Sequence, residues 1–372
     1  MGLLEKICRY EFIPYNIIRI SAPSLLGNVK LFEELTGLEV MPVLKANAYG
    51  HGLKEVAEIL NQAKRVKMVV VDGYFEANKL QMATNKRVLV MNPTTLHNMR
   101  LANRHKMSFV VADLDDLKEL AKSRFHIKIH LKINTGMNRL GLLEAEVPKA
   151  LKILQGASRL KLEGVMTHLY DALALDNAVS LQQVEIFDRV VQQVLDAGFS
   201  PSIIHCAASA GSVKVKSKFA TAVRIGLGVY GINPLAPQDP QFHKLKDLKP
   251  VLKMTSTIMH TIDLKKGDKV GYEGTFVADG PMRIGVIPMG YYEAIPRDLS
   301  NKLDFVGRIC MNMAMVDISK TNFKKGDEVT IFSNKNTDKN SISAIYREFG
   351  LYPHDVLVHI SDTMRREIDF SG

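Results

Sequence analysis

A lysine closes a short apolar run, and a loop of small residues follows at once: Val43-Leu44-Lys45-Ala46-Asn47-Ala48-Tyr49-Gly50-His51-Gly52. A deprotonated lysine amine is a nucleophile, and at the mouth of an α/β fold it can form a Schiff base with an aldehyde cofactor. Tyr49 stands four residues on, where it could pack or hydrogen-bond beside the same group. Other side chains with chemistry recur at the ends of later apolar runs. Arg139 follows the run 127–133, His168 closes the run 160–166, Ser209 follows 203–206, and Arg224 and Gly226 lie on or just after 223–227. Taken singly, each has a structural reading: a solvated surface charge, a hydrogen-bonded histidine, a glycine that serves a turn. Their common place at the carboxyl ends of strand candidates is what makes them one site.

The elements that must position them follow from hydrophobic pattern. Residues 40–44, 68–71, 88–91, 109–112, 127–133, 160–166, 203–206 and 223–227 are apolar strand candidates. Helical spacing intervenes, notably over 53–60, 114–122, 147–155 and 181–197. An extended segment at 16–20 precedes a helix expected over 23–35, with its cap near Ser24. Most of the strands are continuously apolar, as in a parallel sheet buried on both faces. Eight strand–crossover units in this length predict a (β/α)8, TIM-like barrel rather than an open sheet. Such barrels hold phosphate in the loops after strands seven and eight, and Ser209 with Gly226 and Leu227 fits such a cup. The pattern changes near Asn233, where Pro234, Pro237 and Pro240 mark a linker. Beyond it the chain is strand-rich, with turn signals such as Lys265-Lys266-Gly267-Asp268 and one helix at 341–349. The expectation is an α/β barrel domain over residues 1–240 and a smaller, mainly-β domain over 241–372, the extreme N-terminal strand pairing with the latter.

Composition narrows the function classes. The chain has 372 residues, 46% of them hydrophobic and 24% charged, which suits a globular protein with more than one core. Its net charge of +10 is scattered in short groups, with no recognition helix or aromatic-basic module, so no nucleic-acid partner is expected. Three widely spaced cysteines, Cys8, Cys206 and Cys310, indicate neither a disulfide framework nor a zinc site, and no metal is expected. The N-terminal hexapeptide has no apolar signal core, and Lys6 stands where a myristoylation motif wants Ser or Thr. No apolar run is long enough to span a bilayer, so the cytoplasm is the expected location and no membrane partner is expected.

The spelling around Lys45 closely resembles the pyridoxal-phosphate (PLP) lysine motif of alanine racemases. Further motifs look like those of the same family in the same order: Lys132…Arg139-Leu140-Gly141, Glu163-Gly164…Thr167-His168, His205-Cys206-Ala207…Ser209 and Val223-Arg224-Ile225-Gly226. Gly271-Tyr272-Glu273-Gly274-Thr275, Pro288-Met289-Gly290-Tyr291 and Val306-Gly307-Arg308-Ile309-Cys310-Met311-Asn312-Met313 continue the series. The resemblance implies a PLP enzyme that interconverts L- and D-alanine for peptidoglycan, a barrel followed by a β domain, and a homodimer with shared active sites. It implies Lys45 as the cofactor lysine and one base, with Tyr272 as the base on the opposite face. It links Tyr272 to His168 and His168 to Arg224, a chain of positive charge that makes a phenol a better base. It sets Arg224 against the pyridine nitrogen, and Tyr49, Ser209, Gly226, Leu227 and His354 around the cofactor. Arg139 and the Met311 N–H would hold the substrate carboxylate, and Lys132 matches a position that can be carbamylated.

The pattern also departs from the family. Ala208 stands for an asparagine, Asn134 for an aspartate, Asn312 for an aspartate, and Glu293-Ala294 for Asp-Gly. His354 replaces the tyrosine that usually touches the phosphate, and Tyr352 lies two residues away. These changes fall on the entrance and substrate face, which leaves open a broad-specificity or serine racemase. A PLP-binding homeostasis protein without turnover is the reading from another class, and the β domain with Tyr272 argues against it.

Overall fold

Eight short, largely buried strands carry the chain from Glu39 to Ile225. The computed structural model describes residues 13–371; Cys8 and the N-terminal hexapeptide read above lie outside the described residues. After β1 (Asn16–Ser21) come β2 (Glu39–Pro42), β3 (Met68–Val71), β4 (Arg87–Val90) and β5 (Met107–Val111). Then follow β6 (Ile127–Lys132), β7 (Leu160–Met166), β8 (Ile203–His205) and β9 (Ala222–Ile225). Strands β3 to β8 form a parallel sheet in sequence order, and β2 pairs with β9 in parallel. Single bridges join the two sets, Val43 to Val70 and Ala208 to Arg224. The result is the expected barrel, seamed by isolated bridges at two places instead of full ladders. Every residue of β3 (Met-Val-Val-Val) is buried, which is why its sequence is apolar without alternation.

Helices cover the strands. The first, Ala22–Thr36, begins just ahead of its apolar pattern. Its cap is Ser21, not Ser24: the Ser21 hydroxyl accepts the Ser24 N–H at 3.3 Å, and Pro23 sits in the first turn, where no N–H is needed. Leu53–Leu60, Leu114–Ala121, Val147–Gln155 and Ala178–Asp196 follow, each burying one apolar stripe.

The chain divides into two compact units. One is Ile20–Val251 with residues 368–371; the other is residues 13–19 with Leu252–Glu367. The second unit is built on β10 (Leu252–Thr257), β11 (His260–Leu264), β12 (Lys269–Val270), β13 (Phe276–Val277), β14 (Met282–Ile287), β15 (Ala314–Asp317), β16 (Glu328–Phe332) and β17 (Arg365–Asp369). Its sheets run β16-β10-β1-β17, β11-β14-β15 and β12-β13. Val270, Ile284 and Val306 form a small core under the last two, with Leu264, Phe276, Met282 and Met315 packed on it. Two α-helices, not one, are described in this unit. Ile342–Phe349 starts at the Ser341 cap, and Pro353–Val358 follows it. The second was hidden because Tyr352-Pro353 reads as a break. Proline at the first helical position is compatible with a helix, and the residue before it stays extended, at φ −60° and ψ 134°.

Candidate active site

Lys45 leaves β2 into a backbone that L-residues avoid. Ala46, Asn47, Ala48 and Tyr49 all have φ between 52° and 54°, a turn of left-handed helix without a glycine in it. Each such residue costs about 1–2 kcal/mol, so the turn persists only because its surroundings hold it. The Asn47 side-chain oxygen accepts the Leu53 N–H at 2.7 Å, and the Glu76 carboxylate accepts the N–H groups of Asn47 at 3.3 Å and Asp72 at 3.0 Å. Tyr49 is buried against Tyr230, ring centroids 5.1 Å apart, and burial raises its phenol to about 12. Tyr230 donates to the Val43 carbonyl at 2.9 Å, tying the start of the turn to the loop after β9.

Across the barrel mouth lies a small cradle. The Ser209 hydroxyl oxygen accepts the N–H groups of Gly226 at 3.1 Å and Gly228 at 3.3 Å, which leaves the Ser209 proton to donate onward. A Cβ on Gly226 would fall 2.5 Å from the Tyr49 hydroxyl, so this glycine lets the tyrosine reach the cradle. The Leu227 N–H has no backbone acceptor among the described residues.

Arg224 is only 2% exposed, and it makes no ion pair among the described residues. Its guanidinium donates to His205 Nδ1 at 2.8 Å, to His168 Nδ1 at 3.2 Å, and to the carbonyls of Thr167, His205 and Cys206 at 2.8–3.1 Å. Burial and then the Arg224 charge hold His168 down at about 3, with smaller pushes from Arg139, Lys132 and Lys45. That one imidazole therefore has four cations around it and stays neutral. Burial, then Arg139 and Arg224, lower the Lys132 amine to about 8. Arg139 is exposed and makes no ion pair among the described residues.

The barrel unit thus gathers Lys45, Tyr49, Lys132, Arg139, His168, Ser209, Arg224, Gly226 and Leu227. Tyr272, Met311 and His354 belong to the other unit. Tyr272 is 69% exposed, at the start of a tight turn between Gly271 (φ 74°) and Glu273 (φ 62°). Glu273 pairs bidentately with Arg308 at 2.7–2.8 Å, which holds that turn. Met311 is exposed and its carbonyl accepts the Tyr292 N–H at 3.0 Å. His354 lies in the first turn of the Pro353–Val358 helix. Residues that sequence reasoning missed include Asn47, Glu76, Tyr230 and His130. Only the small side chains after Lys45 hinted at the first two.

A mouth lined by a nucleophilic amine, several cations, a hydroxyl and an open amide suits a group that is both aldehyde and phosphate. PLP fits that donor set, and the buried, carboxylate-free Arg224 suits a neutral ring nitrogen beside it. Fold and site together define a barrel-type PLP enzyme acting on amino acids. Comparison with known proteins narrows this to one family. Residues 20–234 match the family model for the alanine racemase N-terminal domain, and residues 251–368 that for the C-terminal domain. An alanine racemase of Lactobacillus acidophilus is 31% identical over 89% of this chain and 90% of its own. The structure of the Bacillus anthracis alanine racemase with bound L-Ala-P superposes with a TM-score of 0.85 at 25% identity, covering 97% of this chain and 96% of that one. The Bartonella henselae alanine racemase, with covalently bound pyridoxal phosphate, shares the fold at a TM-score of 0.80 and 22% identity, over 96% and 100% of the two chains. The chain belongs to the alanine racemase family, the PLP-dependent isomerases that interconvert L- and D-alanine.

Proposed function

We propose that the two proton-handling groups of this racemisation are Lys45 and Tyr272, serving opposite faces of the substrate α-carbon. Inverting a carbon centre needs an acid/base group on each side of it, and two groups from different parts of a fold meet that demand. When bound, PLP supplies the electron sink that lets the α-proton leave. Lys45 would hold it covalently, with Tyr49, the Ser209 hydroxyl, Gly226, the Leu227 N–H and His354 as the groups that would bind it. On the D-alanine face the Lys45 amine, when free of the cofactor, would take or return the α-proton. Tyr272 does so on the L-alanine face.

The observation that carries this reading is the neutral His168 held among Arg224, Arg139, Lys132 and Lys45. Its Nδ1 accepts from Arg224, so its proton is on Nε2, where it can be donated to a phenolate such as that of Tyr272. Arg139, without an ion pair of its own among the described residues, offers a fork to the substrate carboxylate, and the Met311 N–H adds a second contact. A guanidinium does not release its proton, so Arg224 leaves a ring nitrogen unprotonated and favours return of the proton to carbon over side transamination. Lys132, with its lowered amine, is partly neutral near pH 8 and open to carbamylation, which would turn a cation beside Arg139 into an anion.

The second unit leaves Tyr272, Tyr292, Met311, Met313 and Tyr352 exposed, and covering such groups supports a homodimer with shared active sites. Among the described residues no helix is long and apolar enough to cross a membrane. A cytoplasmic enzyme making D-alanine for peptidoglycan is the setting that fits this chemistry.

The test is α-proton exchange in deuterated water, followed from each enantiomer with chiral separation, including serine and lysine as substrates. Tyr272→Phe should lose roughly 10²–10⁴-fold in exchange from L-alanine, the range that general acid–base catalysis supplies. Exchange from L-alanine at the wild-type rate would remove Tyr272 from its role.

A further inference from the structure

Below the mouth, a line of buried polar side chains crosses the barrel interior from Arg224 to Glu163. Arg224 Nη1 lies 2.8 Å from His205 Nδ1, and His205 Nε2 lies 2.9 Å from His130 Nδ1. His130 Nε2 faces Glu163 Oε2 at 3.5 Å, a charge–dipole approach longer than a hydrogen bond, and makes no hydrogen bond among the described residues. Glu163 is held in turn by Ser108 and by Arg87, the first residue of β4. Both histidines are completely buried. The barrel is built around them. A Cβ at position 164 would collide with His130 Nδ1, so Gly164 makes room for the ring, and the β6–β7 register shifts between Ile129 and His130.

The proton positions along this line follow from chemistry. A guanidinium only donates, so His205 Nδ1 must be a lone pair. Burial, then the charge of Arg224, keeps His205 neutral, so its single proton is on Nε2. That proton can only go to His130 Nδ1. His130 is also neutral, mainly through burial, and therefore carries its own proton on Nε2, toward Glu163. Every donor points the same way, from Arg224 to Glu163. The negative end of each imidazole dipole faces the guanidinium and the positive end faces the carboxylate, an arrangement in which the bonds polarise one another. Burial alone would raise Glu163, but the nearby His130 Nε2, the Ser108 hydrogen bond and the Arg87 charge outweigh it and hold the carboxyl at about 2.

We propose that Glu163, acting through His130 and His205, is the counter-charge and positioning residue of Arg224. It fixes the guanidinium that the proposed function sets against the cofactor ring, and the inference rests on that assignment. A fully buried cation with no carboxylate in contact is costly. Here the compensation is delivered through two neutral rings, which leaves the mouth side of Arg224 clear of any acid that could protonate a ring nitrogen.

The test uses holoenzyme labelled with ¹⁵N in its histidines. The wild type should show both His130 and His205 as single Nε2–H tautomers; an Nδ1–H form of either ring overturns the relay, whatever the activity. Glu163→Gln keeps the size and removes the charge. It should broaden or split the His130 and His205 signals, shift the visible absorption of the bound cofactor, and raise the share of turnovers ending in transamination several-fold. Glu163→Asp should recover part of each. A Gln variant that only unfolds at lower temperature, with unchanged ring signals and absorption, makes Glu163 merely structural and overturns the proposal. Arg224→Lys separates the two layers of inference. If it leaves the absorption unchanged, the ring-facing assignment falls and the proposal with it. If it shifts the band while Glu163→Gln does not, the assignment stands and the relay alone falls. Should the Gln variant fail to fold, the wild-type tautomers decide.

Discussion

Asn312→Asp restores the residue that the family resemblance places at this position, and the structure says it should harm this chain. Asn312 Nδ2 donates to Glu293 Oε1 at 3.0 Å, while the other carboxylate oxygen accepts the Gly290 N–H at 2.7 Å. Glu293 is 8% exposed, so water does little for it. The substitution replaces the donor with a second anion. Losing a hydrogen bond to a charged group costs about 1.5–3 kcal/mol. Two unit charges about 4 Å apart repel by about 4 kcal/mol at an effective dielectric of about 20. Rotation of the new carboxylate outward relieves part of that, so the net destabilisation should be about 2–4 kcal/mol, several degrees in melting temperature. Gly290 would loosen with it; this glycine packs where a Cβ would overlap the Cys310 carbonyl. The Met311 N–H next to Asn312 would lose its register, raising KM for alanine more than it lowers kcat.

The decisive arm is the reciprocal pair. When Glu293→Gln is combined with Asn312→Asp, the glutamine oxygen still accepts the Gly290 N–H, and its amide donates to the new aspartate. The double variant should recover most of the lost stability and KM, a coupling of at least about 1.5 kcal/mol in a double-mutant cycle. Thermal unfolding and steady-state racemisation of the four proteins read it directly. If the single Asp variant melts at the wild-type temperature with unchanged KM, or if the pair is no better than the sum of its parts, the reasoning fails.

Gly226→Ala places a methyl 2.5 Å from the Tyr49 hydroxyl, an overpacking of about 1–3 kcal/mol that should appear as roughly tenfold or weaker PLP affinity in a cofactor titration. His168 is held at about 3, and burial also lowers His130 and His205, so the unfolded chain takes up protons below about pH 6.5 that the folded chain refuses. Stability should therefore fall as pH drops from about 6.5 toward 3, by up to about 4 kcal/mol per pH unit where all three contribute; urea unfolding at about pH 7, 6 and 5 checks the slope. Lys132, lowered to about 8, is penalised as a cation below that pH and not above about 10.5. Lys132→Met should then stabilise uncarbamylated protein by about 1–2 kcal/mol at about pH 7, after allowance for solvent screening, with the advantage shrinking toward pH 10 in thermal unfolding.

The barrel was legible because parallel strands buried on both faces leave long apolar runs, and all eight candidates correspond to strands within a few residues at either end. The positions of Lys45, His168 and Arg224 on or just after barrel strands were legible because motifs of that spelling sit at strand ends. The buried relay was not. In β6, Lys128, His130 and Lys132 alternate with Ile127, Ile129 and Leu131, and a polar alternate face normally means solvent. In a barrel that face can point inward, and only closure of the strands decides it. The left-handed turn was equally hidden, since positive φ is signalled by glycine and the residues concerned are Ala46, Asn47, Ala48 and Tyr49.

That turn explains why the rest of the mouth is so heavily bonded. Four residues at positive φ cost about 4–8 kcal/mol in all, comparable with the whole stability of many domains. The strain is sustainable only if each residue is fixed from outside. Asn47 is held through both its side chain and its N–H, Tyr49 through its packing on Tyr230, and Gly50 and Gly52 through N–H bonds back to the carbonyls of Ala46 and Asn47. An ordinary right-handed turn would have needed none of these. What the left-handed path gives is direction: the chain leaves Lys45 and doubles back within a few residues, bringing Tyr49 against Gly226 of the cradle. The lysine and the opposite side of the mouth are thereby referenced to one rigid object, which would serve the proposed covalent hold of a cofactor by fixing where its reacting carbon meets a base.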